Sequence, residues 1–101
     1  MKRKYRNEGE FKTDLKEELE RRLPESIVTL LDPTYTQGIP DIAVFYKNRW
    51  ATLEAKVNSK ATHRPNQDLY VETMNNMSFS AFIYPENTEE VLNALEQSLR
   101  N

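Results

Sequence analysis

The stretch that decides the fold runs from Gly38 to Lys56 and reads GIPDIAVFYKNRWATLEAK. A Gly-Ile-Pro turn leads into two segments rich in β-branched and aromatic residues, 41–47 and 50–57. They read as a hairpin across Asn48-Arg49. Pairing Lys47 with Trp50 sets Asp41 against Lys56, Ala43 against Glu54 and Phe45 against Thr52. One face then holds Ile42, Val44, Tyr46, Ala51, Leu53, Ala55 and Val57, all apolar. A slip of one residue would mix Glu54 and Lys56 into that face, so the first register is expected. The opposite face gathers Asp41, Glu54 and Lys56. Diagonal neighbours in such a pair lie roughly 7–8 Å apart, a gap that one cation can bridge between two carboxylates.

The flanks frame this hairpin. Residues 8–23 read as an amphipathic helix, with Phe11, Leu15, Leu19 and Leu23 spaced by four, and Pro24 stops it. Residues 26–31 (SIVTLL) form a short strand that Asp32-Pro33 ends. A polar loop after Val57 leads to a helix over 66–77, a strand over 79–84 closed by Pro85, and a last helix capped by Asn87 or Thr88. That helix buries Val91, Leu92, Leu95 and Leu99. The order helix, three strands, helix, strand, helix predicts one α/β domain over 1–101 with a central sheet. Residues 1–7, with Lys2, Arg3, Lys4 and Arg6, are expected to be a flexible, solvated basic N-terminus, with a phosphate-contacting arm as the alternative.

Composition narrows the chemistry. The 101 residues include no cysteine and one histidine, His63. That excludes a disulfide scaffold, a thiolate zinc site and a multi-histidine centre. Any metal is held mainly by oxygen, which points to Mg²⁺, Mn²⁺ or Ca²⁺. No apolar run is long enough to span a membrane, and a reducing, cytoplasmic setting is expected. The formal net charge is −2, but the first 71 residues carry the basic excess and the last helix is acidic (Glu86, Glu89, Glu90, Glu96). The acidic end is expected to face away from any nucleic acid, or towards a protein partner.

A bare Asp…Glu-x-Lys pattern arises by accident roughly 0.3 times in a chain of this length, so the context has to carry the reading. Hydrolysing a phosphodiester needs charge neutralisation on the non-bridging oxygens and an activated water. Carboxylate-held divalent ions supply both, and a lysine beside them can orient the water. Asp, Glu and Lys on one sheet face make such a set.

With that turn and hairpin, GIPDIAV…TLEAK resembles the core of the PD-(D/E)XK nuclease superfamily, and within it the VRR-NUC group. The similarity to archaeal Holliday junction resolvases is more distant. The resemblance covers about residues 8–84. It implies a restriction-endonuclease-like fold with a mixed sheet, and a Mg²⁺-dependent endonuclease, with Mn²⁺ able to substitute. The implied substrate is DNA with a branch or four-way junction, cut by a homodimer in a phage or prophage setting. It assigns catalysis to Asp41, Glu54, Lys56 and Gln67, the glutamine opening the next helix in RPNQDLY. The metal would fall to Asp41, Glu54 and an acid of the first helix. Helical geometry favours Glu8 for that acid, because Glu8 falls on the arc of Phe11, Leu15, Leu19 and Leu23 whereas Glu10 points away. Lys12, Gln37, Lys60 and Arg64 are the expected nucleic-acid contacts, with Thr36 beside Gln37.

Each assignment has a plainer counterpart. Asp41 can be a turn residue, Glu54 and Lys56 a solvated strand face, and Gln67 a helix decoration. His63 reads as an exposed loop residue, and Trp50 and Tyr35 as packing rather than base-stacking groups. A binding module of the same fold without turnover, or a nuclease acting on RNA, remains the alternative function.

Overall fold

The computed structural model describes residues 4–101. Helix α1 spans Glu8–Arg22, followed by strands β1 (Ile27–Leu30), β2 (Ile42–Tyr46) and β3 (Arg49–Ala55). Helix α2 (Gln67–Met77), strand β4 (Phe79–Ile83), a 3₁₀ turn (Pro85–Asn87) and helix α3 (Thr88–Arg100) complete the chain. The expected order of elements holds. The four strands lie in the order β1-β2-β3-β4, antiparallel except for the β3–β4 pair. A parallel pair needs a crossover, and α2 supplies it.

Helix α1 begins where the sequence provides for it. The Asn7 side chain accepts the Glu10 N–H at 2.9 Å, and Glu8 and Glu10 sit at the positive end of the helix. Its apolar stripe is fully committed: Phe11, Leu15, Leu19 and Leu23 are all buried. They pack with Leu92, Leu95 and Leu99 of α3 against one face of the sheet, made of Ile42, Val44, Tyr46, Ala51, Leu53, Ala55 and Ile83. Burying side chains of this size stabilises by about 1.5–3 kcal/mol each, so this layer is the main hydrophobic core. Among the described residues, no helix is long and apolar enough to cross a membrane.

The other face of the sheet is only partly covered. Helix α2 lies over β3 and β4, where Thr52 reaches Met74 and hydrogen-bonds Ser80 at 2.8 Å. Towards β1 this face stays open, leaving Ile27 and Phe45 exposed.

The hairpin register differs from expectation. Phe45 pairs with Trp50, Val44 with Ala51 and Ile42 with Leu53, so the turn is Lys47-Asn48 and the strands are slipped by two residues. An even slip leaves every side chain on its predicted face, so the hydrophobic pattern cannot tell the two registers apart. Turn geometry decides: two-residue hairpin turns need a positive φ, and Lys47 takes it at 57°. The slip moves Asp41 from opposite Lys56 to opposite Glu54.

The expected basic N-terminus falls partly outside the described residues, which exclude Met1 to Arg3. In the described part, Tyr5 packs on Phe11 with ring centroids 4.8 Å apart. Arg6 pairs with Glu10 at 3.1 Å.

Candidate metal and nucleic-acid site

Where the hairpin opens towards α1 and α2, a cleft of about 400 Å³ forms. Its wall brings together Glu8 and Lys12 from α1, Gln37 and Asp41 from the loop entering β2, Glu54 and Lys56 from β3, and Arg64 and Gln67 from the α2 approach. Segments far apart in sequence meet here because strand β3 passes between α1 and α2. Of the expected site residues, Lys60 lies elsewhere, on an exposed turn where its N–H bonds Asn58, and Thr36 is not on the cleft wall although its neighbour Gln37 is. Glu10 is held by Arg6, and of the two candidate helix acids Glu8 is the one on the cleft wall.

Gly38 makes the cleft possible. Its φ of +93° suits a residue without a side chain, and an added Cβ would stand 2.7 Å from the Asn66 Cβ and 3.1 Å from the Pro65 carbonyl. The Gly-Ile-Pro turn therefore lies against the loop that delivers Gln67. Asn66 meets it in a left-handed conformation of its own, φ 71°. Pro40, buried beside it, fixes the direction in which Asp41 emerges.

The floor is a buried polar network. Glu54 is 2 % exposed. Its Oε2 accepts from Gln67 Nε2 at 2.9 Å and lies 3.7 Å from Lys56 Nζ. Lys56 Nζ donates to Gln67 Oε1 at 2.8 Å and to the Thr62 carbonyl at 3.2 Å. The Arg64 N–H donates to the same Gln67 oxygen at 2.7 Å. Asp41 accepts the Ala55 N–H on Oδ2 at 3.0 Å and faces Lys12 Nζ at 3.5 Å on Oδ1. Gln67 thus clamps acid and lysine together, using both ends of its amide.

One atom is left over. Among the described residues, Glu54 Oε1 is buried without a hydrogen-bond partner. Burial, then the charge of Asp41 and a hydrogen bond to it, pushes the Glu54 carboxyl up to about 8; Lys56 pulls the other way and Glu8 adds a smaller upward push. A protonated Glu54 can donate to Asp41. Two ionised carboxylates offer each other no donor, which is why Oε1 is orphaned when both are charged. Leaving a buried charge unpaired is costly, and a cation between the two acids would remove the penalty.

The donor set fits an oxygen-preferring divalent ion, but as a sparse seat. Among the described residues no group of three or more His, Cys, Asp or Glu is placed to hold a metal. Mg²⁺ commonly binds through one or two carboxylates, keeping several waters and adding substrate phosphate oxygens. Asp41 and Glu54 provide those two carboxylates, with Glu8 further out on the wall.

Sequence reasoning missed the backbone groups. The Ala55 and Arg64 N–H groups and the Thr62 carbonyl hold the key side chains, and backbone atoms leave no residue-type signal. Thr34, which also lines the cleft, was findable: Asp32-Pro-Thr is an Asx-turn sequence, and the Thr34 N–H does bond Asp32 at 2.8 Å. His63 is more than a loop residue, since its ring stacks on Phe82 at 4.1 Å and its Nδ1 lies 2.7 Å from Asp68. Tyr35 is exposed rather than packed, and Trp50 lies on the open sheet face beside Met74 and Met77. Comparison with protein-family models, curated proteins and solved structures finds no match to this chain.

Proposed function

We propose that the chain is a metal-dependent endonuclease that hydrolyses phosphodiester bonds in DNA. Its preferred substrate is branched DNA, including four-way junctions, and its working form is a homodimer. The observation that carries the reading is the orphaned Oε1 of Glu54, buried opposite Asp41 with Lys56 alongside. A purely structural cleft has no use for two acids set against each other with a buried carboxylate oxygen left without a partner among the described residues, and such an arrangement costs stability. The motif resemblance and the α/β order with a mixed sheet support the same reading.

In this reading Asp41 and Glu54 hold Mg²⁺, with Mn²⁺ able to replace it, and Glu8 completes the acidic wall. The bound ion supplies charge neutralisation at the phosphate. Lys56, anchored through Gln67 and the Thr62 carbonyl, orients the water for in-line attack. Gln67 keeps Lys56 and Glu54 in register with each other. Arg64, Lys12 and Gln37 line the approach and contact the strand, and Lys60 reaches phosphates outside the cleft.

The test pairs wild type with Glu54→Gln and Lys56→Met on an immobile four-way junction, a plain duplex, a single strand and an RNA duplex. Each is incubated with Mg²⁺, Mn²⁺ or EDTA. Cutting that requires metal, prefers the junction and falls by about a hundredfold or more in both variants is the expected result. Junction binding without cutting in any metal would replace the nuclease with a binding module. Cutting confined to RNA would move the substrate class. Light scattering of the free protein checks the dimer.

A further inference from the structure

The two lysines of the cleft are held very differently. Lys56 Nζ has two hydrogen bonds to fixed acceptors, and its side chain is only 4 % exposed. Among the described residues Lys12 Nζ makes one polar contact, to Asp41 Oδ1 at 3.5 Å, at the outer limit of a hydrogen bond. Its side chain is 24 % exposed. Lys12 stands one turn beyond Glu8 on α1, so both look into the same cleft.

We infer that Lys12 is an exchangeable counter-ion: it neutralises Asp41 while the acidic seat is empty, and is displaced when a divalent cation takes that carboxylate. This rests on the reading of Asp41 and Glu54 as a cation seat. The inference is electrostatic. A part-buried Asp41 and a buried Glu54 stand together at the cleft floor, and an ammonium at Asp41 lowers the cost of that pair. A divalent ion sharing Asp41 would sit within a few ångströms of the Lys12 charge, where like-charge repulsion in a partly buried site is strong. Among the described residues the lysine has no second polar partner to hold it, and it has a flexible four-carbon stem to move on. Displaced towards the cleft mouth, its charge is free to meet a substrate phosphate. Cation binding and strand binding would then be coupled through one side chain.

The competition has a direct readout that needs no turnover. Mn²⁺ is titrated calorimetrically into the full chain as wild type, Lys12→Met, Lys12→Arg and Lys60→Met, without nucleic acid. The expected result is Mn²⁺ binding about tenfold tighter to Lys12→Met than to wild type. Lys12→Arg, which keeps the charge, should stay at or below wild-type affinity. Lys60→Met, which removes an equal charge outside the cleft, should change it less than twofold. Equal or weaker binding in Lys12→Met, with wild type still binding, overturns the counter-ion and leaves the metal site standing. An equal gain in Lys60→Met also overturns it, because the effect would then be net charge alone. Absence of Mn²⁺ binding in every chain, up to millimolar concentrations, overturns the cation seat itself and the inference with it.

Discussion

At neutral pH, Glu54 can ionise only against its surroundings, and that gives a testable sign. Its pKa rises from 4.5 to about 8 on folding, chiefly through burial and then Asp41. Between those values the folded chain holds a proton that the unfolded chain has lost, so stability falls as pH rises. The metal-free protein should therefore be most stable below pH 4.5 as far as this group is concerned, and lose that contribution as pH climbs through 8. Each pKa unit corresponds to about 1.4 kcal/mol, so the loss amounts to several kcal/mol. Urea unfolding in EDTA at pH 5, 7 and 8.5 should show this decline, and Glu54→Gln should flatten it. A decline equally steep in Glu54→Gln would assign it to another group. Glu18, whose pKa is lowered by hydrogen bonds from Arg21 and Arg22, titrates at the acid end and does not compete in this window. Gly38 offers a second test at this scale. Gly38→Ala must strain a φ of +93° and push on Asn66, which should cost about 1–3 kcal/mol and disturb the loop that carries Gln67.

At the scale of elements, α1 does two jobs along one arc of its surface, the N-terminal end serving the cleft and the later turns the core. Phe11, Leu15 and Leu19 anchor it in the core, while Glu8 and Lys12 reach the cleft. Leu15→Ala should cost about 2–5 kcal/mol, read as a lower urea midpoint. The hairpin shows how far the sequence could be read. Its two faces were legible because alternation fixes them, and so were Asp41, Glu54 and Lys56 as neighbours. The register was not, because a two-residue slip preserves each face and the turn carries no glycine to mark it. Asp41 itself helps to settle the matter through its bond to the Ala55 N–H. Asp41→Asn can keep that bond and should retain wild-type stability within about 1 kcal/mol, whereas Asp41→Ala loses it and should unfold at lower urea. The Gln67 clamp was likewise only half legible. A glutamine at a helix start is visible in a sequence, but its hold on both Glu54 and Lys56 goes with a left-handed Asn66, a conformation that asparagine permits without dictating.

At the scale of the whole molecule, the sheet divides the protein into a dry side and a working side. Helices α1 and α3 seal the core on one face. On the other, α2 covers β3 and β4 and leaves the cleft at its N-terminal end. The acidic residues of α3 lie with Arg22 and Arg100, where Arg22 bonds Glu89 at 3.0 Å and Arg100 bonds Glu96 at 3.1 Å. The Arg22–Glu89 pair ties α3 to α1, whereas the Arg100–Glu96 pair lies within α3. The molecule measures 32 × 29 × 22 Å, so its longest axis covers roughly nine steps of a DNA strand at about 3.4 Å each. The proposed nuclease thus brings one cleft to one strand at each encounter, and severing both strands takes two visits or two copies. Nicks should accumulate in proportion to protein concentration, while paired cuts on a junction should rise with its square until the dimer saturates. A supercoiled plasmid with an extruded cruciform would separate these regimes by its ratio of open-circular to linear product.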